Sequence, residues 1–379
     1  MRRLLPLLCG LLLAACGQRA ARPIGDFTLP VYTPRYASGF EITGAAGSRS
    51  TLVTVHNPWY GDEVTDQYLF IARDGEPAPA GFEGQVLRDE TRRVVCMSGS
   101  YIAMLDALGA ADRVVGVSGA QYLIKETLRR RIARGEAADV GFDSNVDFER
   151  LMALRPDLVM LFGIGGADTA LTGKLRELGI PYLYMGEHCE ESPLGKSEWV
   201  VVAAEIAGLR TEGSRLFAAI PERYERLRAL AQQTAARPRV MLNTPYRDTW
   251  FMPARNSYMV RLLEDAGARY VFEENTATQT LPIDIEQAYY LTSKSDFWLN
   301  VSGCNTLDEV RRQNPRLADT PPVREGRVYD NNRRRNAAGG SDFWESGVLR
   351  PDRVLADLVH IFHPELSETD ELYYYRQLE

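Results

Sequence analysis

The sequence predicts an α/β fold of two lobes, each a parallel sheet flanked by helices, joined by a helical segment and preceded by a small β-rich extension. Three observations carry this reading. From Arg93 onward, short apolar strands alternate with helices, the pattern that builds a parallel sheet covered by helices. The alternation pauses after Tyr184 for helical sequence and resumes after Pro238. The two alternating stretches also echo one another in their residues, as related units do.

At the N-terminus, Arg2 and Arg3 precede an apolar run, Leu4 to Leu13, broken by Pro6 and Gly10. About ten residues cannot span a bilayer, which needs about 20, so the run reads as a secretory signal. It ends in Leu13-Ala14-Ala15-Cys16-Gly17. This resembles the bacterial lipobox, which implies a signal over 1–15, cleavage before Cys16 and lipidation of its sulfur. The other reading is ordinary secretory cleavage beside a chance cysteine. No later segment approaches the ~18 consecutive apolar residues of a transmembrane helix. The mature chain is therefore expected to be a soluble body tethered to a membrane of the cell envelope, exposed to the periplasm or exterior.

Residues 16–92 form the tether and extension. Leu52–Val55 and Tyr68–Ile71 are strand-like, punctuated by Pro58, Gly61, Gly75, Pro77, Pro79 and Gly81, and no chemistry is visible in them. Residues 93–211 form the first lobe. Its strands are expected at Val94–Met97, Val114–Val117, Leu158–Phe162 and Tyr182–Tyr184. Helices at Tyr101–Leu108, Phe148–Leu154 and Leu171–Leu178 are closed by Gly109, Pro156 and Gly179. Glu198–Ala207 and Ser214–Ala236 read as helical, with Pro221 kinking or restarting the second, and residues 212–236 are assigned to the joining helix. Residues 237–379 form the second lobe. Strands are expected at Val240–Leu242, Tyr270–Phe272 and Phe297–Val301, and helices at Tyr258–Ala266, Asp284–Leu291 and Pro351–Phe362.

Composition narrows the function. The net charge of −7 argues against nucleic acid, whose phosphates call for a basic surface. Once Cys9 and Cys16 are set aside, Cys96, Cys189 and Cys304 remain. They are an odd set without CxxC spacing, which makes a disulfide framework or a zinc site a poor reading, and the strand-like neighbours of Cys96 and Cys304 mark those two as small buried side chains. Signatures of the GxSxG, HExxH and GxxxxGK[ST] kinds are missing. Gly163-Ile164-Gly165-Gly166-Ala167-Asp168 departs from GxGxxG at Asp168, where an acid would repel a pyrophosphate. It reads instead as a tight strand-to-helix turn at a cleft. Of four histidines, His360 and His363 read as helix-terminal residues. His188, with Glu187 and Glu190, is the one candidate metal cluster, although an exposed loop is the better reading.

The echo gives the sharpest pair. Asp147-Phe148-Glu149 in the first lobe is answered by Asp284-Ile285-Glu286 in the second. Each Glu opens a helix, where the dipole tolerates an anion. At equivalent positions on one surface they would make a two-point contact for a partner bearing arginines. Without the echo, each would read as a glutamate stabilising its own helix. A second group collects near the C-terminal ends of the expected strands, where open α/β sheets bind ligands. It comprises Tyr101, Tyr122, Phe142 and Asp143 in the first lobe, and Trp250, Phe251, Arg255, Ser257, Arg333, Arg335 and Trp344 in the second. Aromatic walls with arginines suit a flat or anionic organic chelate. The arginine run is equally readable as a solvated loop.

Three stretches resemble the periplasmic-binding family that serves ABC importers of iron-siderophores, haem and cobalamin. They are Arg93–Ser98 followed by Leu108–Ser118, Asp147–Val159, and Trp344–Pro351 followed by Leu355–Leu358. The resemblance covers about residues 92 to 366 and implies two Rossmann-like lobes on a long rigid backbone helix within Ser214–Ala236. It implies that Glu149 and Glu286 dock the permease, that ligand-lining positions fall near Tyr122, Phe142, Phe251 and Arg333, and that the lobes move little on binding. The extension lies outside that common core, and the loop Asn331–Gly340 is unusually rich in arginine. The chain is accordingly expected to be a binding protein rather than an enzyme, without a cofactor of its own. Its expected partners are a small metal chelate, an ABC permease with its ATPase, and a membrane through the lipid anchor, but not nucleic acid. An anionic ferric siderophore-like chelate is the leading ligand, with cobalamin or haem as alternatives. The rival from another class is a lipid-anchored metal-dependent envelope enzyme.

Overall fold

In a computed structural model, residues 21–379 are described except 61–63, 164, 165, 167, 168, 247, 248, 278, 302 and 368–370. The signal and Cys16 lie outside the described residues, as do Ile164, Gly165, Ala167 and Asp168 of the glycine-rich turn. No helix among the described residues is long and apolar enough to cross a membrane.

The extension is a sheet of five strands in chain order: β1 (Leu29–Tyr32), β2 (Phe40–Gly44), β3 (Thr51–His56), β4 (Asp66–Ala72) and β5 (Gln85–Arg88). The first four are antiparallel neighbours and β5 runs parallel to β4. β3 is buried from Thr51 to Val55 and β4 from Leu69 to Ala72, on both faces, in keeping with their mostly apolar sequence.

The first lobe holds β6 (Val94–Cys96), β7 (Val114–Val117), β8 (Ala138–Asp139), β9 (Leu158–Phe162) and β10 (Tyr182–Met185), in the spatial order β10-β9-β6-β7-β8 and all parallel. The second lobe holds β11 (Arg239–Leu242), a hairpin of β12 (Pro245–Tyr246) and β13 (Thr249–Met252), then β14 (Arg269–Tyr270), β15 (Leu281–Ile283), β16 (Phe297–Leu299), β17 (Val328–Asp330) and β18 (Arg376–Gln377). Its main sheet runs β14-β11-β16-β17-β18, parallel except for β18, while β12, β13 and β15 form a separate antiparallel sheet. Helix-linked lobes with parallel sheets are what the alternation predicts.

The link is more segmented than one long helix. It runs through Pro193–Glu198, Val200–Ile206, Arg210–Ala218 and Ile220–Ala231. Pro221 stands in the first turn of the last helix, where its missing N–H leaves no helical bond unmade. Every residue of Val200–Ile206 is buried, because a helix whose residues are apolar except for Glu205 has no face to give to water. The extension packs on this part of the link, and Glu205 here, with Glu198 at the end of the preceding helix, anchors it. Glu198 accepts N–H groups from Arg35, Tyr36 and Ala37 at 2.7–2.8 Å. Glu205 accepts the Thr51 hydroxyl at 2.7 Å and pairs with Arg73 and Arg210. Just before the first linking helix, Glu190 accepts from Gly39 N and from the Trp199 indole, both at 2.9 Å. The extension is thus fastened to the link by buried carboxylates whose acceptor oxygens are all occupied.

Candidate functional site

An open parallel sheet binds ligands beyond the carboxyl ends of its strands, where strand order reverses. In the first lobe that point lies between β6 and β9, which lead into Ser98 and Gly163. In the second it lies between β11 and β16, which lead into Asn243 and Asn300. Both asparagines adopt left-handed backbone, with φ of 66° and 61°, a conformation asparagine tolerates better than most residues.

Exposed aromatics gather on the loops beyond these ends. Tyr122 and Phe142 are 45% and 44% exposed with ring centroids 6.4 Å apart. Asp139, closing β8, holds them together. Its carboxylate accepts N–H groups from Gly119, Ala120 and Gly141 at 3.2, 2.7 and 2.9 Å, pinning both loops to one strand end. Gly119 sits at φ 68°, and a Cβ there would come within 2.9 Å of the Phe142 ring, so glycine is demanded by backbone and space together. Asp143, on the same loop, has its carboxyl pushed up by burial. From the second lobe, Phe251 and Trp344 are exposed.

The lobes touch along one side of this region. Asn336 donates to the carbonyls of Gln121 and Leu123 at 2.9 and 3.0 Å. Glu345 accepts the N–H groups of Ile124 and Lys125 at 2.8 and 3.0 Å. On the other side, Asn256 donates to Glu191, and buried Lys196 lies 4.4 Å over the Tyr258 ring while donating to the Glu187 carbonyl.

Several expected wall residues are placed elsewhere. Tyr101 is fully buried and donates to the Leu161 carbonyl at 3.2 Å, so it is a core residue and cannot reach a ligand. Trp250 is also core. It stacks on Trp298 at 5.6 Å, and its indole donates to the Leu242 carbonyl. The reason is period-two alternation along β13, read from sequence as a loop: Trp250 and Met252 turn inward while Phe251 turns out. Arg255 pairs with Glu264 at 2.8 Å and lines a cavity of about 340 Å³ with Arg237 and Arg269, which precede β11 and open β14 at their amino ends. Ser257 caps its helix by accepting from Val260 N.

The arginine run divides. Arg333 pairs with Glu371 at 3.1 Å, and Arg334 pairs with Asp342 and lies over Tyr373. Arg335 has no ion pair among the described residues, although its charge bears on Asp330.

His188 is not on an exposed loop. It sits in a short turn of helix after β10, with 14% of its side chain exposed, its ring 4.3 Å from Phe162 and Nε2 at 2.8 Å from the Gly163 carbonyl. Its Nδ1 and Glu187 Oε2 are 4.0 Å apart, and neither has a hydrogen-bond partner among the described residues. Glu190 is committed to Gly39, Ser38 and Trp199 and is not free to join them. Among the described residues no group of three or more His, Cys, Asp and Glu side chains is placed to hold a metal ion.

Glu149 and Glu286 occupy matching places. Each is the second residue of a helix, Phe148–Ala153 and Ile285–Ser293, and each helix is capped by an aspartate, Asp147 or Asp284, accepting from the N–H three residues on. Both glutamates are exposed, and Glu286 pairs with Arg316 at 2.9 Å.

Residues 94–333 match the periplasmic binding protein family. The chain belongs to that family. Two lipoproteins of Methanocaldococcus jannaschii resemble this family member. MJ0878 is 26% identical over 333 residues, covering 82% of this chain and 77% of that one. MJ0872 is 22% identical over 330 residues, covering 83% and 81%. Both matches span more of the chain than the part from residue 94 to the end, and so reach into the extension. Among solved structures, a periplasmic haem-binding protein of Pseudomonas aeruginosa superposes with a TM-score of 0.59 at 20% identity, covering 76% of this chain and 98% of that one. The haem-binding protein RhuT of Roseiflexus sp. RS-1 gives 0.56 at 20% identity over 73% and 100%. An Fe3+-hydroxamate transport protein of Saccharomonospora viridis gives 0.54 at 17% over 72% and 94%. At these identities the structural likeness establishes the shared fold.

Proposed function

We propose that this chain is the lipid-anchored binding subunit of an ABC importer, holding a metal chelate between its lobes and presenting it to the permease. The observation that carries the reading is the set of exposed aromatic side chains that both lobes place beyond their strand ends, Tyr122 with Phe142 on one and Phe251 with Trp344 on the other. Single exposed aromatics are ordinary, but a convergent group at a topological switch point is how apolar ligand sites are built. The anchor rests on the lipobox at Cys16 and on relatives named as lipoproteins.

The geometry favours a chelate with a broad flat face, of the tetrapyrrole kind, over a compact anionic ferric chelate. Two of the three loop arginines already have carboxylate partners, leaving Arg335 to meet a ligand's anionic group, whereas the four aromatic side chains are all exposed. Solved relatives named for haem binding support the same choice. The test is tryptophan fluorescence of the chain without its signal, titrated with haemin, cobalamin and ferric siderophores. Saturable quenching by a flat macrocycle, smaller in amplitude in Trp344→Phe, is the expected result. Saturation by a small hydroxamate chelate alone would replace the ligand class, and no response from folded protein would remove the chelate reading.

A further inference from the structure

The extension also reaches the carboxyl ends of the first lobe's strands. β3 and β4 are joined by a loop whose neck is closed by two bonds between Asn57 and Thr65, at 2.8 and 2.9 Å. Past that neck the buried Pro58 sits on the first lobe's strand ends. A Cβ on Gly163, after β9, would meet the Pro58 carbonyl at 3.0 Å, and one on Gly186, after β10, would lie 3.4 Å from Pro58 Cα. Both strand ends are glycine where the extension lands on them. Trp59 then packs edge-on against Tyr184 with centroids 5.3 Å apart. Tyr60 donates its hydroxyl to the His188 carbonyl at 2.7 Å yet remains 58% exposed. Its ring stands edge-on to His188 with centroids 6.0 Å apart. The neighbouring Glu187 carbonyl accepts from Lys196, which lies over the Tyr258 ring of the second lobe. One aromatic of the extension is therefore fixed at its hydroxyl close to the contact between the lobes, with much of its ring exposed. Near it lie two buried polar atoms without a hydrogen-bond partner among the described residues, Glu187 Oε2 and His188 Nδ1.

We infer that the extension supplies a third wall of the ligand cleft, with Tyr60 as a ligand-contacting, specificity-determining residue and Trp59 as its support. The inference rests on the chelate-binding reading and adds to it a part of the site lying outside the stretch, 94–333, that matches the family. A rigid aromatic held at its polar tip offers its face to a flat conjugated ligand with little side-chain entropy left to lose. It would discriminate by planarity, favouring a macrocycle over a globular hydroxamate chelate.

The experiment is an equilibrium titration of the signal-free chain, with haemin, cobalamin and a ferric hydroxamate as probes, on wild type, Tyr60→Ala, Tyr60→Phe and Tyr289→Ala. Tyr289 is an exposed helix residue on the second lobe and serves as the control. Tyr60→Ala is expected to weaken the flat ligand by about tenfold or more while leaving the hydroxamate unchanged and the melting temperature within the spread of the control. Tyr60→Phe should keep more of the affinity than Tyr60→Ala, because it keeps the ring. Wild-type binding with Tyr60→Ala indistinguishable from it overturns the wall and leaves the chelate reading standing. Absence of binding to every probe by folded wild type overturns both.

Discussion

Tyr32 donates its phenolic proton to Glu198 across 2.7 Å, joining the end of the extension's first strand to a carboxylate buried in the linking helices. Burial, then this carboxylate, pushes the phenol above its usual range. The same carboxylate takes three backbone N–H groups from residues 35–37, so one side chain orders the whole approach to β2. Replacing Glu198 by Ala strands four donors at a site with no exposure. The expected loss is about 3–5 kcal/mol, read as the urea midpoint. A loss under about 1 kcal/mol, the scale of an exposed hydrogen bond, would mean that the extension docks by its apolar surface alone.

Asp330 ends β17 buried, with Oδ1 lacking a hydrogen-bond partner among the described residues. Burial pushes its pKa up to about 6, against the opposing pull of the Asn331 backbone, Arg376 and Arg335. An acid raised this way holds its proton in the folded chain at pH values where the unfolded chain, near 3.9, has released it. Its contribution to stability is therefore greatest below about pH 4 and falls as pH rises to about 6. Asp330→Asn should stabilise the chain at pH 7.5 by on the order of 2 kcal/mol, with the gain shrinking toward pH 4. Denaturation at the two pH values checks this, and an equal gain at both would show that ionisation is not the cause.

Gly340 lies against the first lobe so closely that a Cβ would sit 1.7 Å from the Tyr122 carbonyl oxygen. Gly340→Ala must lift the arginine loop off the 121–123 turn, breaking the Asn336 contacts. Overpacking of this kind costs about 1–3 kcal/mol, and ligand affinity should fall with it because Tyr122 and Trp344 both flank the contact. Unchanged stability and affinity would show that the lobes do not depend on this clasp.

A permease-docking role for Glu149 and Glu286, which the resemblance implies, would separate two phenotypes. Glu149→Ala combined with Glu286→Ala should abolish ligand uptake in cells while leaving the affinity of the purified chain intact. The exposed Arg316 pair is weak enough to be exchanged for a partner's arginine. Uptake at the wild-type rate, with the variant correctly anchored, would remove the role.

How much was legible follows from the kind of signal each residue carries. β9 and the helix Pro351–Phe362 appear at the predicted bounds, because a short apolar run closed by turn residues and a proline-started amphipathic helix are local patterns. The aspartate caps before Glu149 and Glu286 are likewise local, being written in three consecutive residues. Trp250 was misplaced because the short hairpin that turns it inward depends on pairing with Leu281–Ile283, a partner distant in sequence. Tyr60 and Asp139 were missed, because nothing near either residue says what it will touch.

By itself the sequence determined the alternation that makes two parallel sheets, the helical pause between them and the matched acidic helix starts, since these rest on periodicity and capping within a few residues. Only the tertiary structure decided which aromatics stay exposed beyond the strand ends and which fill the core, which arginines are already paired, and that the extension is held by Glu190, Glu198 and Glu205. Those outcomes depend on contacts between residues far apart in the chain, where burial turns an ordinary glutamate into an anchor and strand pairing turns a tryptophan away from solvent.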